Sequence, residues 1–223
     1  MPSSPRNASP RASLPDSLAI IGAGGHGREI AWLAQRVGVP AARIVFAVHE
    51  RYLRDETIDG MPVHSIESGH CDGWPCVVAI GDPRVREALT DECVARRMRP
   101  ATLIHPGIDL HESVSVGEGV VMAAGVVVTV NVSIGDYAHI NVGASVSHDC
   151  VIGRGATISP GARLAGHVHV GRYAFLGLGC NIVNGTESAP LVIGDDAVVG
   201  AGACVIRSVD PGATVIGVPA RPK

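Results

Sequence analysis

Aliphatic residues recur at every sixth position through the second half of the chain: Leu110, Val116, Met122, Val128, Ile134, Ile140, Val146, Ile152, Ile158, Leu164, Val170, Leu176 and Ile182. A helix would space such residues by three and four, and a half-buried strand would alternate them. A step of six therefore marks a short strand followed by a corner. Three such steps close a triangular coil. From Val116 on, the position four residues after each aliphatic one is small: Val120, Val126, Val132, Ala138, Ala144, Cys150, Ala156, Ala162, Val168, Ala174 and Cys180. Small residues there can share a narrow interior with the larger ones, as close packing requires. Gly117, Gly135, Gly153 and Gly171 each follow an aliphatic position at intervals of eighteen. They are expected to let the backbone turn tightly at one corner in three.

The ladder breaks after Ile182 and resumes in a shifted frame at Ile193, Val199 and Val205, so one step is eleven residues long instead of six. The five extra residues fall in the segment Asn184 to Pro190. They predict a loop thrown out of one corner, and in repeat folds such insertions gather on the functional face. The loop is expected near a ligand.

The pattern of the first half is different. Leu18–Ile21 reads as a buried strand; the turn Gly22-Ala23-Gly24-Gly25-His26-Gly27 follows, then a helix from Arg28 to about Val37. Strand, glycine turn and helix N-terminus together make a nucleotide-binding start, and glycines at 22, 24 and 27 satisfy the dinucleotide fingerprint. Ile44–Val48 and Val77–Ile80 predict further strands, and Arg84 to Arg97 a second helix. The unit spans only about 85 residues, half of a full dinucleotide domain. A nicotinamide enzyme would also want an acid at the end of the second strand, where only Glu50 could serve, and no second half follows to receive a hydride. The Pro- and Ser-rich residues 1–16 predict a disordered tail. The expected division is a tail over 1–16, an α/β domain over 17–100 and the coil over 101–223.

Composition narrows the function classes. Of 223 residues 46% are hydrophobic but only 3% aromatic, as an interior that admits Val, Ile and Ala but not rings requires. A net charge of -3 gives no basic footprint for nucleic acid, and no stretch is long and apolar enough to span a membrane. Six cysteines include no CxxC pair, and Cys150 and Cys180 hold inward positions, which fits buried thiols in a reducing cytoplasm.

The strict period of six resembles that of the hexapeptide-repeat acyltransferases over residues 101 to 220. The resemblance implies a left-handed parallel β-helix, so the fold class is an α/β N-terminal Rossmann-like half domain followed by that β-helix. The two halves together resemble the sialic acid O-acetyltransferases and the bacillosamine-type nucleotide-sugar N-acetyltransferases. In that family the glycine turn and the Ala-Ile-Gly strand end hold the nucleotide, which implies this role for Gly24, Gly25, His26 and Gly81. The resemblance makes His148 the general base and Asp149 the acid that raises its basicity. It puts Asn141 against the sugar and Gly166 against the acetyl group. Relatives often carry two acids after the second strand where this chain has His49 and Glu50, and a histidine near the acyl donor where this chain has Thr157.

An imidazole beside a carboxylate at a solenoid corner suits proton removal from an attacking amine or hydroxyl. His139, His167 and His169 lie on outward or corner positions and His105 precedes Pro106; each is expected to be solvated or to meet another subunit. The zinc carbonic anhydrases of the same fold use histidine pairs five apart, a spacing absent between His105 and His169, so no metal site is expected. The resulting expectation is an acetyl-CoA-dependent N-acetyltransferase acting on a nucleotide-linked amino sugar of the 4-amino-4,6-dideoxy kind, cytoplasmic and homotrimeric. Two alternatives stand beside it: O-acetylation of sialic acid or another sugar, and a non-catalytic nucleotide-binding trimeric scaffold.

Overall fold

In the computed structural model, which describes residues 15–223, the apolar run Leu18–Ile21 is strand β1, buried along its whole length. Burial on both faces is what a central parallel strand needs. The glycine turn leads into helix α1 (Gly25–Val37), which lays Ile30, Leu33 and Ala34 on the sheet and closes at Gly38 in the left-handed conformation. Strands β2 (Ile44–Val48), β3 (Thr57–Ile58), β4 (Met61–Ser65) and β5 (Pro75–Val78) follow, then helix α2 (Pro83–Ala95) and strand β6 (Arg99–Pro100). They build a six-stranded sheet of order β3-β4-β2-β1-β5-β6, parallel except for the β3/β4 pair. Pro62 interrupts the apolar positions of β4, which is why the sequence pattern does not announce that pair. Asp82 caps α2, its carboxylate accepting from the Arg84 and Val85 N–H groups at 2.9 Å. Most of the predicted tail falls on residues 1–14, outside the described residues.

From strand β7 (Leu103–Ile104) onward the chain winds as a left-handed parallel β-helix. Strands of two or three residues stack into three sheets, two of five strands and one of eight. Residues eighteen apart pair in register, as in Val128 with Val146, Ile134 with Ile152 and Ile140 with Ile158. The ladder and the small positions between its members form one buried column, which Leu110 and Val116 join part-buried at its N-terminal end. Each larger residue contributes about 1.5 to 3 kcal/mol of burial.

The corner glycines are needed for a different reason from the one expected. Gly117, Gly135, Gly153 and Gly171 are not among the residues with positive φ. They are glycine because the next coil passes directly over them. A Cβ on Gly153 would stand 2.6 Å from the Gly171 carbonyl carbon, and one on Gly171 would stand 2.5 Å from the Asp195 nitrogen. The left-handed corner positions are held by other glycines, such as Gly125, Gly143, Gly161 and Gly179, and by Asn131, Tyr137, Asp149, His167 and Tyr173.

One face of the prism is the floor of the α/β layer. Leu103, Val121, His139 and Thr157 pair in register along the outside of the eight-stranded sheet, and all four are buried. His139, expected to be solvated or to meet another subunit, is instead buried against its own chain's α/β layer. Its Nδ1 lies 3.3 Å from His26 Nε2, and burial, reinforced by Arg86 and His26, pushes its pKa well down. Arg86, 1% exposed, reaches from α2 to donate to Thr157 Oγ1 at 3.0 Å and to the Ile80 carbonyl at 2.9 Å. Burial lowers its pKa to about 10. Arg84 forks onto Asp196 at 2.7 and 2.8 Å and lies over the Tyr173 ring.

Candidate active site

At the corner that follows strand Ser145–Val146, the coils bring Asn131, Asp149 and His167 into one column. All three hold left-handed backbone, with φ of 56, 57 and 56°. Asp149 Oδ2 accepts from His148 Nδ1 at 2.8 Å, and Oδ1 accepts from Asn131 Nδ2 at 3.1 Å. These two bonds, the first above all, hold the Asp149 carboxyl below its usual range. A carboxylate can only accept, so the neutral imidazole keeps its proton on Nδ1 and leaves the Nε2 lone pair open. The His148 side chain is 53% exposed.

The ring rests on Gly166. A Cβ there would stand 2.5 Å from Nε2, so this position admits no side chain while His148 keeps its place. Among the described residues the Gly166 N–H meets no backbone acceptor, whereas the next N–H, that of His167, donates to the His148 carbonyl at 3.1 Å. A basic nitrogen and a free N–H donor thus lie side by side, the pair that acyl transfer through a tetrahedral oxyanion requires.

Two residues here escaped the sequence reading. His167, expected to be solvated or to meet another subunit, meets His148 edge to face at 5.2 Å, with its Nε2 at 3.8 Å from Asp149 Oδ2. Asn131 is the other. The signal for both was the coil period, since each lies eighteen residues from Asp149. His148, Asp149 and His167 also form the one group among the described residues whose ligand atoms converge, within 4.8 Å, as a metal ion would need. No pairwise histidine spacing could have pointed to it.

The segment Asn184–Pro190 roofs this corner. Gly185 N donates to the Gly166 carbonyl and Leu191 N to the His167 carbonyl, both at 3.0 Å, and Thr186 bridges to Ala189 in a tight turn.

The predicted nucleotide residues lie elsewhere. A Cβ on Gly24, Gly25 or Gly81 would meet nothing within 4 Å, so the chain's own packing leaves room beside all three. Gly27, by contrast, presses its backbone on Gly22, where a Cβ would stand 3.1 Å from the carbonyl carbon. Helix α1 has no acid in its first turn. His26 and Asn141 share the wall of a cavity of about 260 Å³ with Trp32, and Asn141 Nδ2 donates to the Ile158 carbonyl at 3.0 Å. A second cavity, of about 690 Å³, opens between the ends of β1 and β2 and helix α2. At its edge His49 joins Glu67 and Glu92, while the backbone N–H of Glu50 donates to Glu67.

Thr157, which stands where relatives often carry a histidine near the acyl donor, is 3% exposed under α2; its hydroxyl donates to the Gly81 carbonyl at 3.2 Å and accepts from Arg86 at 3.0 Å. Cys150 is a packing residue: buried, with a thiol pushed up by burial and donating to the Ala165 carbonyl.

Comparisons with known proteins agree with both halves. A profile described as PglD N-terminal domain matches residues 17–93, and one for the bacterial transferase hexapeptide (six repeats) matches residues 131–166. The chain is 33% identical over 144 residues to the GDP-perosamine N-acetyltransferase of Escherichia coli, an alignment that spans 65% of each protein. It is similar to the crystal structure of PerB from Caulobacter crescentus in complex with CoA and GDP-perosamine, with 33% identity and a TM-score of 0.82 over 93% of this chain and 97% of that one. The acetyltransferase domain of PglB from Neisseria gonorrhoeae, in complex with acetyl coenzyme A, is 31% identical with a TM-score of 0.83, over 94% and 100% of the two chains.

Proposed function

The chain belongs to the hexapeptide-repeat sugar acetyltransferases of the sialic acid and bacillosamine type, and from that premise we propose that it transfers the acetyl group of acetyl-CoA to the amine of a nucleotide-linked 4-amino-4,6-dideoxy sugar. The observation that carries this reading is the His148 corner, where an imidazole oriented by Asp149 rests on a glycine with a free N–H. The sugar amine attacks the thioester carbonyl, and His148 Nε2 takes the proton that the nitrogen sheds. The oxyanion is held by the Gly166 N–H. Collapse expels the thiolate of CoA, which recovers the proton from the imidazolium, leaving an amide and free CoA. Asp149 stabilises the cationic ring between the two transfers.

The nucleotide lies against Gly24, Gly25 and Gly81, with its diphosphate facing the N-terminus of α1. His26 and Asn141 meet the sugar from their shared cavity. In this reading the enzyme works as a homotrimer, an assembly that would let Asn141 and His148, which occupy different corners of one prism separated by strand Ser145–Val146, meet across a subunit interface. Six unbridged cysteines fit the reducing cytoplasm, and no helix among the described residues is long and apolar enough to cross a membrane.

The test offers purified protein acetyl-CoA with UDP-, dTDP- and GDP-linked amino sugars and with free sialic acids, following thiol release and product mass. An amino sugar should gain one acetyl group, and His148→Ala should lower kcat by about 10²- to 10⁴-fold. Silence across the panel, or a near-normal rate in His148→Ala, would overturn the assignment.

A further inference from the structure

The 690 Å³ cavity beside β1 and β2 has apolar walls, with Ile21, Val48 and Ile80 facing Val85 and Leu89 of α2. Its one acid is Glu92, which follows Leu89 by three positions on the same helix face. The carboxylate is tethered at both oxygens, with Oε2 3.3 Å from His49 Nε2, which lines the same cavity, and Oε1 3.7 Å from Arg96 Nε. His49 is itself fixed through Nδ1 on Glu67 Oε1 at 2.9 Å. Each carboxylate oxygen can accept more than one hydrogen bond, so Glu92 retains acceptor capacity toward the cavity.

We propose that this cavity receives the base of the nucleotide-linked substrate and that Glu92 selects guanine; the inference rests on the nucleotide-sugar reading above. The largely apolar walls suit an aromatic ring, and the glycine turn and Gly81, which face the phosphates in that reading, adjoin Gly22 and Ile80 in its lining. Of the common bases only guanine carries two adjacent donors, N1–H and the N2 amino group, along its pairing edge. A carboxylate accepts both at once. Uracil and thymine offer one N–H between two carbonyl oxygens, which would confront the carboxylate's own lone pairs. Adenine and cytosine offer one amino group beside a ring acceptor, with the same conflict. A site built to take two donors rejects ligands that lack one, because the acceptor is then left unpaired.

The experiment titrates the intact protein with GDP, IDP, UDP, dTDP and ADP, and repeats the series with Glu92→Gln. GDP should bind most tightly, with IDP, which differs only in lacking the N2 amino group, weaker by about tenfold and UDP weaker by about 100-fold. Glutamine presents one acceptor and one donor, so the variant should bring GDP and IDP to within about threefold of each other. A purely structural role for Glu92 would weaken all five nucleotides together and preserve their ratios. Retention of the GDP-to-IDP ratio in Glu92→Gln, or UDP binding as tightly as GDP in the unaltered protein, would overturn the proposal. If the variant does not fold, the wild-type GDP-to-IDP ratio decides alone. Failure of every nucleotide to bind sinks the nucleotide-sugar premise itself, an outcome separate from binding without preference.

Discussion

His148 is placed as much by what is missing at residue 166 as by the bond it makes to Asp149. The ring occupies the space in which a Gly166 side chain would lie, so the aspartate sets the rotation of the imidazole while the glycine sets its height above the corner. Gly166→Ala should push the ring outward, away from the Gly166 N–H. A displacement near 1 Å in a proton-transfer pair lowers the rate by about 100-fold. The backbone of Gly166 is not in the left-handed region, so alanine there should leave the melting temperature nearly unchanged. Measurement of kcat beside a thermal melt separates the two effects, and an unimpaired kcat would show that the ring needs no such seat. At this scale the sequence was informative for adjacent residues. His148 and Asp149 are neighbours and their pairing is local, whereas Asn131 and His167 reach Asp149 only because the coil returns after eighteen residues.

Among the elements, the two glycine columns make a sharper distinction than composition suggests. Gly153 lies where the following coil crosses, and a Cβ there would collide with the Gly171–Arg172 backbone at 2.6 to 2.7 Å. Gly143 has φ of 68° and open space around it. Alanine at 143 has only the left-handed conformation to overcome, about 1 kcal/mol. At 153 two coils must separate, so the loss should reach about 3 kcal/mol. Denaturant midpoints of the two variants test the order, and a larger loss at 143 would restore the view that the eighteen-residue glycines serve as turns. The ladder itself was legible because the spacing of interior residues is a property of each coil alone. The covered face was not. His139 and Thr157 are outward in the six-residue frame, and they are buried because α2 brings Arg86 onto Thr157 from 71 residues earlier in the chain and α1 brings His26 onto His139 from 113 residues earlier. No local pattern records that meeting, nor the approach of Glu92 to His49.

For the whole molecule the decisive arrangement is that one prism presents the residues proposed for acyl transfer and those proposed for the sugar at separate corners. His148, Asp149 and Gly166 share the corner after strand Ser145–Val146, while Asn141 and His26 lie at the corner before it. Two different patches of one subunit that must meet form a heterologous interface, and such an interface closes into a ring when the rotation permits. In the trimer proposed above, each site would combine His148 of one subunit with Asn141 of its neighbour. It follows that two inactive variants should repair one another. His148→Ala and Asn141→Ala, each expected to be nearly silent as a homotrimer, should recover activity when unfolded together and refolded as a mixture. With random assembly, about one interface in four pairs an intact His148 with an intact Asn141, so roughly a quarter of wild-type activity should return. Refolding each variant separately and then mixing gives the baseline without subunit exchange. Absence of recovery in mixed trimers confirmed by mass would mean that both residues act within a single chain.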